Sequence, residues 1–208
     1  MPDDMLRLIV SKVGSASSTD YCNAVLSCKS LNFGSDDPFI GKALSIAPLV
    51  ERPHRANRYE KLMENLLAAN NLDAHYVKGM QEFFDFDNHI MGLHHLSVAS
   101  EGDHKEAKYL YGLLLMAMGM IEKGKKILSK LTDDEGLDFV EMSWEKIQTS
   151  LSQLNVRLKD EYVASYMIMQ PELRCHPADI NPVPAYLMSE FFDMVLGLNP
   201  VPAAARGV

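Results

Sequence analysis

Histidine is the residue type in this chain best suited to metal binding or acid–base chemistry. His89, His94, His95 and His104 lie within a stretch of sixteen residues. Neutral imidazoles are good ligands for zinc or copper. A metal site would need a completing pattern such as H-E-x-x-H, which the sequence lacks, and adjacent side chains on a helix point about 100° apart. We therefore expect structural roles for these side chains, with neither a metal nor another cofactor.

A cysteine nucleophile is the second chemistry to consider. Cys175 precedes His176 in a proline-rich stretch, and His54 could act as a base. No helix start or oxyanion donor can be placed beside this thiol, so a coincidence within a loop is the simpler interpretation. The glycines form neither a Walker loop nor a dinucleotide fingerprint. The sequence thus supports no catalytic residue and predicts a protein that is not an enzyme.

Composition and charge limit the classes of partner. The chain has 208 residues, is 47% hydrophobic and 23% charged, and carries a net charge of -8. This is the composition of a globular protein, and the charge gives no general attraction to nucleic acid or anionic lipid. The longest apolar stretch, residues 110–121, is shorter than the roughly 20 residues that span a bilayer. We expect a protein of the cytoplasm or nucleus, with no nucleic-acid or membrane partner.

Three short helices are predicted in about the first 45 residues. The second is expected to end near Gly34, and Asp36 or Asp37 can cap the third, with Pro38 in its first turn. Three helices of this size bury little surface by themselves. Their apolar side chains are therefore expected to complete their burial on a partner.

An internal repeat occupies the middle of the chain. Two sets of residues recur: Ala74, Tyr76 and Gly79 match Ala107, Tyr109 and Gly112, each 33 residues later, and Gly92, Leu96 and Ser97 match Gly124, Leu128 and Ser129, each 32 residues later. A period in the low thirties indicates helix-turn-helix units of the tetratricopeptide kind. Glycine within a helix is unfavourable, so its recurrence predicts helices packed too closely for a side chain.

Composition and periodicity divide the rest of the chain. Residues 46–58, rich in proline and arginine, predict a linker, and residues 59–132 hold the repeats. Residues 133–198 are predicted to form helices that cap the repeats or bind a target, including one helix over about 139–158. Residues 199–208 predict a disordered tail.

Motifs in both halves resemble known families. Within residues 1–45, MPDDMLRLIVSKV, LSCKSLN and DDPF resemble the F-box. The repeats, with Ala-x-Tyr-x-x-Gly and Gly-x-x-x-Leu-Ser, resemble Sel-like repeats, which are relatives of the tetratricopeptide. A chain that joins the two resembles a family of plant F-box proteins. The predicted fold is all-α: a three-helix F-box followed by a short helical-repeat solenoid with capping helices.

This resemblance implies a non-catalytic, substrate-recognition subunit of an SCF (Skp-cullin-F-box) ubiquitin ligase. Its F-box would bind a Skp-family adaptor, and through it a cullin, while the repeat and C-terminal region would bind a target protein. The resemblance assigns nine residues to forming or supporting the adaptor-binding face: Pro2, Met5, Leu6, Ile9, Val10, Leu26, Cys28, Lys29 and Leu31. Any of them could equally pack the small F-box core.

A concave repeat surface is the candidate site for the target protein. Its candidate residues are aromatic: Tyr76, Phe83, Tyr109 and Tyr111. The recurrence of Tyr76 at Tyr109 equally suits a structural role. The competing hypothesis for the whole chain is a helical-repeat scaffold without ligase function. In that hypothesis residues 1–45 are only a helical cap, and the protein is a monomer without an exposed apolar face.

Overall fold

The computed structural model describes residues 2–154 and residue 191 of the chain. All regular structure within these residues is helical, which confirms the all-α prediction. The ten α-helices within residues 2–154 are α1 (Asp3–Ala16), α2 (Ser18–Ser27), α3 (Pro38–Ala43), α4 (Ala47–Val50), α5 (Glu60–Ala68), α6 (Leu72–Met80), α7 (His89–Glu101), α8 (Lys105–Ala117), α9 (Ile121–Glu135) and α10 (Leu137–Leu151). Short 3₁₀ helices lie at Lys29–Leu31 and Pro53–Arg58, and a π-helical turn at Gln81–Asp85. None of the described helices is long and apolar enough to cross a membrane.

Much of the predicted C-terminal region lies outside the described residues. This applies to residues 155–198 with the exception of Phe191, to the predicted tail at 199–208, and to the Cys175-His176 pair.

Local capping sets the third helix, as the sequence predicted. The carboxylate of Asp37 accepts hydrogen bonds from the backbone N–H groups of Phe39 (2.9 Å) and Ile40 (3.4 Å), and a proline occupies the first turn. The prediction for the end of the second helix was wrong. Helix α2 stops well before Gly34, because Cys28 has an extended backbone with φ -149° and ψ 129°.

One apolar core joins the first three helices to α5 and α6. Its buried members are Val10, Tyr21, Ile40, Leu44, Ile46, Leu49, Ala56, Met63, Leu66, Ala74 and Val77. The predicted linker at 46–58 instead forms α4 and a 3₁₀ helix, and Leu49 and Ala56 within it are 8% and 2% exposed. Proline begins short helices as readily as it interrupts long ones, so the composition that predicts a linker also suits this packed segment.

A buried amide connects the start of α6 to the end of α3. The side-chain nitrogen of Asn71 donates to the carbonyl oxygens of Gly41 and Leu44, at 2.8 Å each. Its side-chain oxygen accepts a hydrogen bond from the backbone N–H of Ala74 at 3.0 Å. Asn71 is only 2% exposed, so a single side chain both caps α6 and satisfies two buried carbonyls of the preceding segment.

The chain divides into two compact units, unit 1 (Met1–His104) and unit 2 (Lys105–Val208). The boundary falls between the two predicted repeats, so unit 1 contains α6 with α7 and unit 2 contains α8 with α9. Helix α10, predicted over about 139–158, ends earlier, at Leu151, and contacts both α8 and α9 within unit 2. Its Trp144 is buried, and the indole lies edge-on to the ring of Phe191 with 6.1 Å between centroids.

The recurring glycines mark close helix contacts in both units. A methyl group on Gly79 would lie 2.7 Å from Cγ of Leu96 in unit 1. The equivalent methyl on Gly112 would lie 2.8 Å from Cγ of Leu128 in unit 2. The prediction that these helices approach too closely for a side chain is confirmed.

Gly92→Ala is expected to lower the free energy of unfolding by about 1–3 kcal/mol, the usual cost of overpacking. The added methyl would lie 2.6 Å from Cβ of Phe83 and 2.8 Å from its backbone nitrogen, which cannot rotate away. Gly102→Ala is the matched control, because the three atoms nearest its added methyl all belong to the flexible side chain of Leu72. Thermal unfolding followed by circular dichroism measures both, and equal midpoints would contradict the close contact at Gly92.

Candidate functional site

Exposed apolar side chains occupy the first two helices. Met5 and Ile9, one turn apart on α1, are 53% and 46% exposed, and Leu26 on α2 is 85% exposed. We call these three residues the α1–α2 face. Large apolar side chains that stay exposed to water although the protein has a complete core are typical of an interaction surface. The α1–α2 face is therefore suited to bury itself on another protein.

A groove opens between α1 and α3. It has a volume of about 410 Å³ and is lined by Leu8, Ser11, Lys12, Ser15, Phe39, Lys42 and Ala43. We call it the α1–α3 groove. Sequence reasoning did not single out its residues. One signal in the sequence could have indicated an exposed apolar surface here. Five of the six residues from 5 to 10 are apolar, which is more than the buried face of a single helix needs.

The aromatic residues predicted to bind a target lie mostly inside the repeats, which corrects that prediction. Tyr76 and Phe83 are each 2% exposed, and Tyr109 is fully buried. Tyr76 recurs as Tyr109, and both are buried, which is the structural role that the recurrence equally suited. Tyr111 is half-buried, with the ammonium of Lys123 placed 5.9 Å from its ring centre.

A second groove in unit 1 lies beside α5, and Lys78 and Gln81 of the first repeat contribute to its lining. It has a volume of about 300 Å³, and Met63, Leu67 and Phe86 contribute apolar surface to it. Glu60 and Glu64, one turn apart on α5, add carboxylates to the lining. Lys78 also lines the groove and pairs with Glu82 at 2.8 Å, while Glu64 pairs with Lys61 at 3.4 Å. The groove therefore combines apolar surface with side chains of both charges.

The histidines are distributed among structural contacts. His89 stacks on Phe83, and His104 stacks on Tyr76, with centroids 4.4 Å and 4.6 Å apart. The pair that sequence reasoning missed is His75 with His95, whose Nδ1 atoms are 2.9 Å apart across α6 and α7. Within residues 2–154, no three histidine, cysteine or carboxylate side chains come together in a way that could hold a metal ion.

The stability of unit 1 is expected to fall as the pH drops from about 6.5 to about 4. The pKa of His95 is lowered from 6.5 to about 4, first by burial, then by His75 and His94 and by Lys78, against the opposing effect of Glu82. The folded state therefore binds fewer protons than the unfolded state in this window, and stability present above it is lost on acidification.

Urea denaturation at several pH values measures this effect. His95→Gln removes the titrating group, so its stability is expected to depend less steeply on pH than that of the wild type. An unchanged slope in the variant would contradict the assignment to His95.

Comparison with known proteins identifies the family. The family described as plant tetratrico peptide repeats matches residues 47–152. F-box protein At2g35280 from Arabidopsis thaliana is 42% identical over 131 residues, which cover 63% of this chain and 80% of that protein. This chain belongs to the plant F-box proteins with tetratricopeptide-type repeats.

Two further relatives from Arabidopsis thaliana agree with the F-box assignment. Putative F-box protein At1g67623 is 32% identical over 133 residues, 63% of this chain and 45% of that protein. F-box protein At1g67340 is 29% identical over 112 residues, 52% of this chain and 30% of that protein. This chain thus spans less than half of each of these two relatives. No solved structure matches it.

The F-box residues fall into three classes of exposure. Six of the nine residues assigned to the adaptor-binding face are exposed: Pro2, Met5, Ile9, Leu26, Cys28 and Lys29. Leu6 and Leu31 are half-buried. The prediction for Val10 requires correction, because Val10 is 1% exposed and belongs to the core. Successive side chains on a helix point about 100° apart, so Val10 can point into the core while its neighbour Ile9 points to solvent.

Cys28 is an exposed thiol at the end of the second F-box helix. Hydrogen bonds from the backbone N–H and the hydroxyl of Ser30 lower its pKa below the ordinary value, and the N–H of Leu31 adds to this effect. A thiol with a lowered pKa reacts faster with alkylating reagents at neutral pH. Alkylation of Cys28 can therefore report whether this part of the F-box is covered.

Proposed function

We propose that this chain is the substrate-recognition subunit of an SCF ubiquitin ligase. Its F-box binds a Skp-family adaptor, and through it a cullin, while the repeat and C-terminal region binds a target protein. The observation that carries this proposal is the exposed α1–α2 face, with Met5, Ile9 and Leu26, in a plant F-box protein. Catalysis belongs to the ubiquitin-charged enzyme that the rest of the ligase recruits, and this chain contributes proximity and orientation.

The alternative is a repeat scaffold without ligase function. That hypothesis treats residues 1–45 as a helical cap and predicts that no apolar face is exposed there. Leu26, at 85% exposure, and the half-exposed Met5 and Ile9 favour the adaptor hypothesis instead. A helical cap would have its apolar side chains directed into the solenoid.

The continuous core of unit 1 suits the proposed role. The F-box helices share buried side chains with α5 and α6, so the first repeat is held in a fixed orientation to the adaptor-binding helices. A target bound on that repeat would be presented to the ligase with a defined geometry. The groove beside α5 is one surface of unit 1 that could make this contact.

Co-expression with a plant Skp-family adaptor tests the proposal. The wild-type protein is expected to elute with the adaptor as a stoichiometric complex in size exclusion. Alkylation of Cys28, mapped by mass spectrometry, is expected to slow in the complex while alkylation of Cys22 serves as the internal reference. A folded wild-type protein that elutes alone would favour the scaffold hypothesis.

A further inference from the structure

We propose that the exposed side of α9 is a target-binding surface and that it receives an acidic segment of the target protein. This side carries Lys123, Lys126 and Lys130, and we call these three residues the α9 lysine stripe. The inference rests on the proposed function and adds to it the position and the chemistry of one contact with the target.

The three lysines share one side of the helix. They are spaced by three and then by four residues, which places them within about 60° of one another around the helix axis. All three are exposed. Lys123 and Lys130 are about 10 Å apart along the axis, a distance that an extended peptide covers with about three or four residues. The stripe therefore has the size of a short linear segment.

The charges of the stripe are not neutralised by the protein itself. None of its three ammonium groups has an ion-pair partner among the residues that the structure describes. Other lysines in unit 2 differ, since Lys105 pairs with Glu135 at 2.6 Å, and Lys125 lies 4.0 Å from the carboxylate of Glu122. The stripe thus keeps its positive charge available to a partner.

The repeat architecture does not require these lysines. Helix α7 in the first repeat corresponds to α9 in the second, and the residues at the close helix contacts recur: Gly92 and Leu96 match Gly124 and Leu128. The positions equivalent to the stripe hold Met91, His94 and Val98 in the first repeat, so no lysine or arginine recurs there. The lysines are therefore a feature of the second repeat alone.

The order of charges along α9 is unfavourable for the helix itself. A helix favours acidic side chains near its start and basic side chains near its end. After Glu122, α9 instead carries lysines in its first half and ends with Asp133, Asp134 and Glu135. Lysines three or four residues apart also repel one another. Departures from such local preferences are typical of functional sites, and an acidic ligand would offset both costs.

The chemistry of the stripe selects an acidic protein segment. Charge complementarity steers association and excludes partners of the wrong sign. The net charge of -8 of the whole chain repels a long polyanion such as a nucleic acid, whereas a short acidic segment can contact the stripe alone.

Tyr111 connects the stripe with the predicted target site. Of the four aromatic residues predicted to bind a target, Tyr111 is the one that is not buried. The ammonium of Lys123 lies 5.9 Å from its ring centre, so the stripe begins beside this ring. The target protein, rather than the adaptor, is therefore the partner that we assign to this surface.

Reversing two charges of the stripe tests the proposal on the full chain. The probe is a short fluorescein-labelled peptide of alternating glutamate and serine, and fluorescence anisotropy measures its dissociation constant. Lys126→Glu/Lys130→Glu is expected to raise this constant about 10-fold, because attraction at two positions becomes repulsion. Lys42→Glu/Lys61→Glu is the matched control, since it changes two exposed lysines and the net charge equally. Its dissociation constant is expected to stay within about twofold of wild type.

Two outcomes of this assay would overturn the proposal. Equal losses of affinity in the two double variants would attribute the effect to net charge. Binding of a single-stranded oligonucleotide more tightly than the peptide, with loss in Lys126→Glu/Lys130→Glu, would assign the stripe to nucleic acid.

Salt and stability give independent readouts. Wild-type affinity for the peptide is expected to weaken with added salt more steeply than the affinity of Lys126→Gln/Lys130→Gln, which has lost two charges of the stripe. The same neutral variant is expected to unfold at or above the wild-type temperature, because the repulsion between the lysines is relieved. A lower unfolding temperature would give the lysines a structural role and contradict the proposal.

The peptide assay does not involve the adaptor, so its failure is distinguishable from failure of the proposed function. If the Skp-family adaptor binds but Lys126→Glu/Lys130→Glu binds the peptide like wild type, the adaptor role stands and this inference fails. If the stripe binds the peptide but folded wild type does not bind the adaptor, the stripe is a protein-binding surface of a scaffold and the ligase role fails.

Discussion

Aspartate at Ile9 and Leu26 is expected to abolish co-purification with a Skp-family adaptor. In the proposed complex the α1–α2 face loses its contact with water, and each new carboxylate would be buried without a partner. That cost is several kcal/mol, or more than about 100-fold in the dissociation constant. Ile9 and Leu26 are 46% and 85% exposed, so the free protein is expected to fold as wild type does.

The control for this experiment changes apolar residues that are exposed outside the F-box. Ile90 on α7 is 82% exposed and Met142 on α10 is 53% exposed, so Ile90→Asp/Met142→Asp alters charge and exposed apolar surface similarly. We expect this variant to bind the adaptor with unchanged stoichiometry in size exclusion. Equal binding by the two double variants would show that the α1–α2 face is not the adaptor site. Val10 is unsuitable for such a test, because a carboxylate there would disrupt the core.

Features set by neighbours in the sequence were predictable. Asp37 caps α3 through the backbone N–H groups of the next few residues. An aspartate directly before Pro38 was therefore enough to predict where this helix begins. The repeat register was equally visible, since Gly79 and Gly112 report a close contact at both copies. The all-α fold and the existence of the repeats follow from such local patterns.

Features set by distant residues were not predictable in the same way. Residues 46–58 look like a linker until α5 and α6 supply the apolar surface that Leu49 and Ala56 bury. The Nδ1 contact between His75 and His95 joins residues 20 apart in the chain, and no local pattern marks it. In both cases the structure depends on a contact with a residue far away in the sequence, which the local sequence does not show.

The candidate site was predictable only in part, because the exposure of its residues also depends on distant contacts. The F-box resemblance pointed to the helices that carry exposed apolar side chains, yet it could not separate Ile9 from Val10, because the rotation of α1 is fixed by what it packs against. The target residues were misplaced because Tyr76 and Tyr109 recur, and recurrence alone does not distinguish a lining residue from an interior one. Exposures of 2% and 0% assign Tyr76 and Tyr109 to the interior.

Asn71→Ala is expected to lower the free energy of unfolding of unit 1 by about 2–4 kcal/mol. Loss of the helix cap on α6 costs about 1 kcal/mol. Loss of the buried amide leaves the carbonyls of Gly41 and Leu44 without this donor, which adds about 1–3 kcal/mol. Asn88→Ala is the matched control, because Asn88 caps α7 at an exposed position through the N–H of Met91. Urea denaturation measures both variants, and the control is expected to lose about 1 kcal/mol or less.

The larger effect at Asn71 would also be local, because this amide connects the end of α3 to the start of α6. Asp73 accepts a hydrogen bond from the N–H of Ile46 at 3.2 Å, and Gln81 donates to the carbonyl of Pro53 at 2.8 Å. With Asn71 these contacts connect α6 and the π-helical turn after it to residues 41–53, which follow the F-box helices. Asn71→Ala is therefore expected to speed amide hydrogen exchange over residues 41–46 at neutral pH while adaptor affinity stays near wild type. If Asn71→Ala costs no more than Asn88→Ala, the buried amide does not stabilise the connection between the end of α3 and the start of α6.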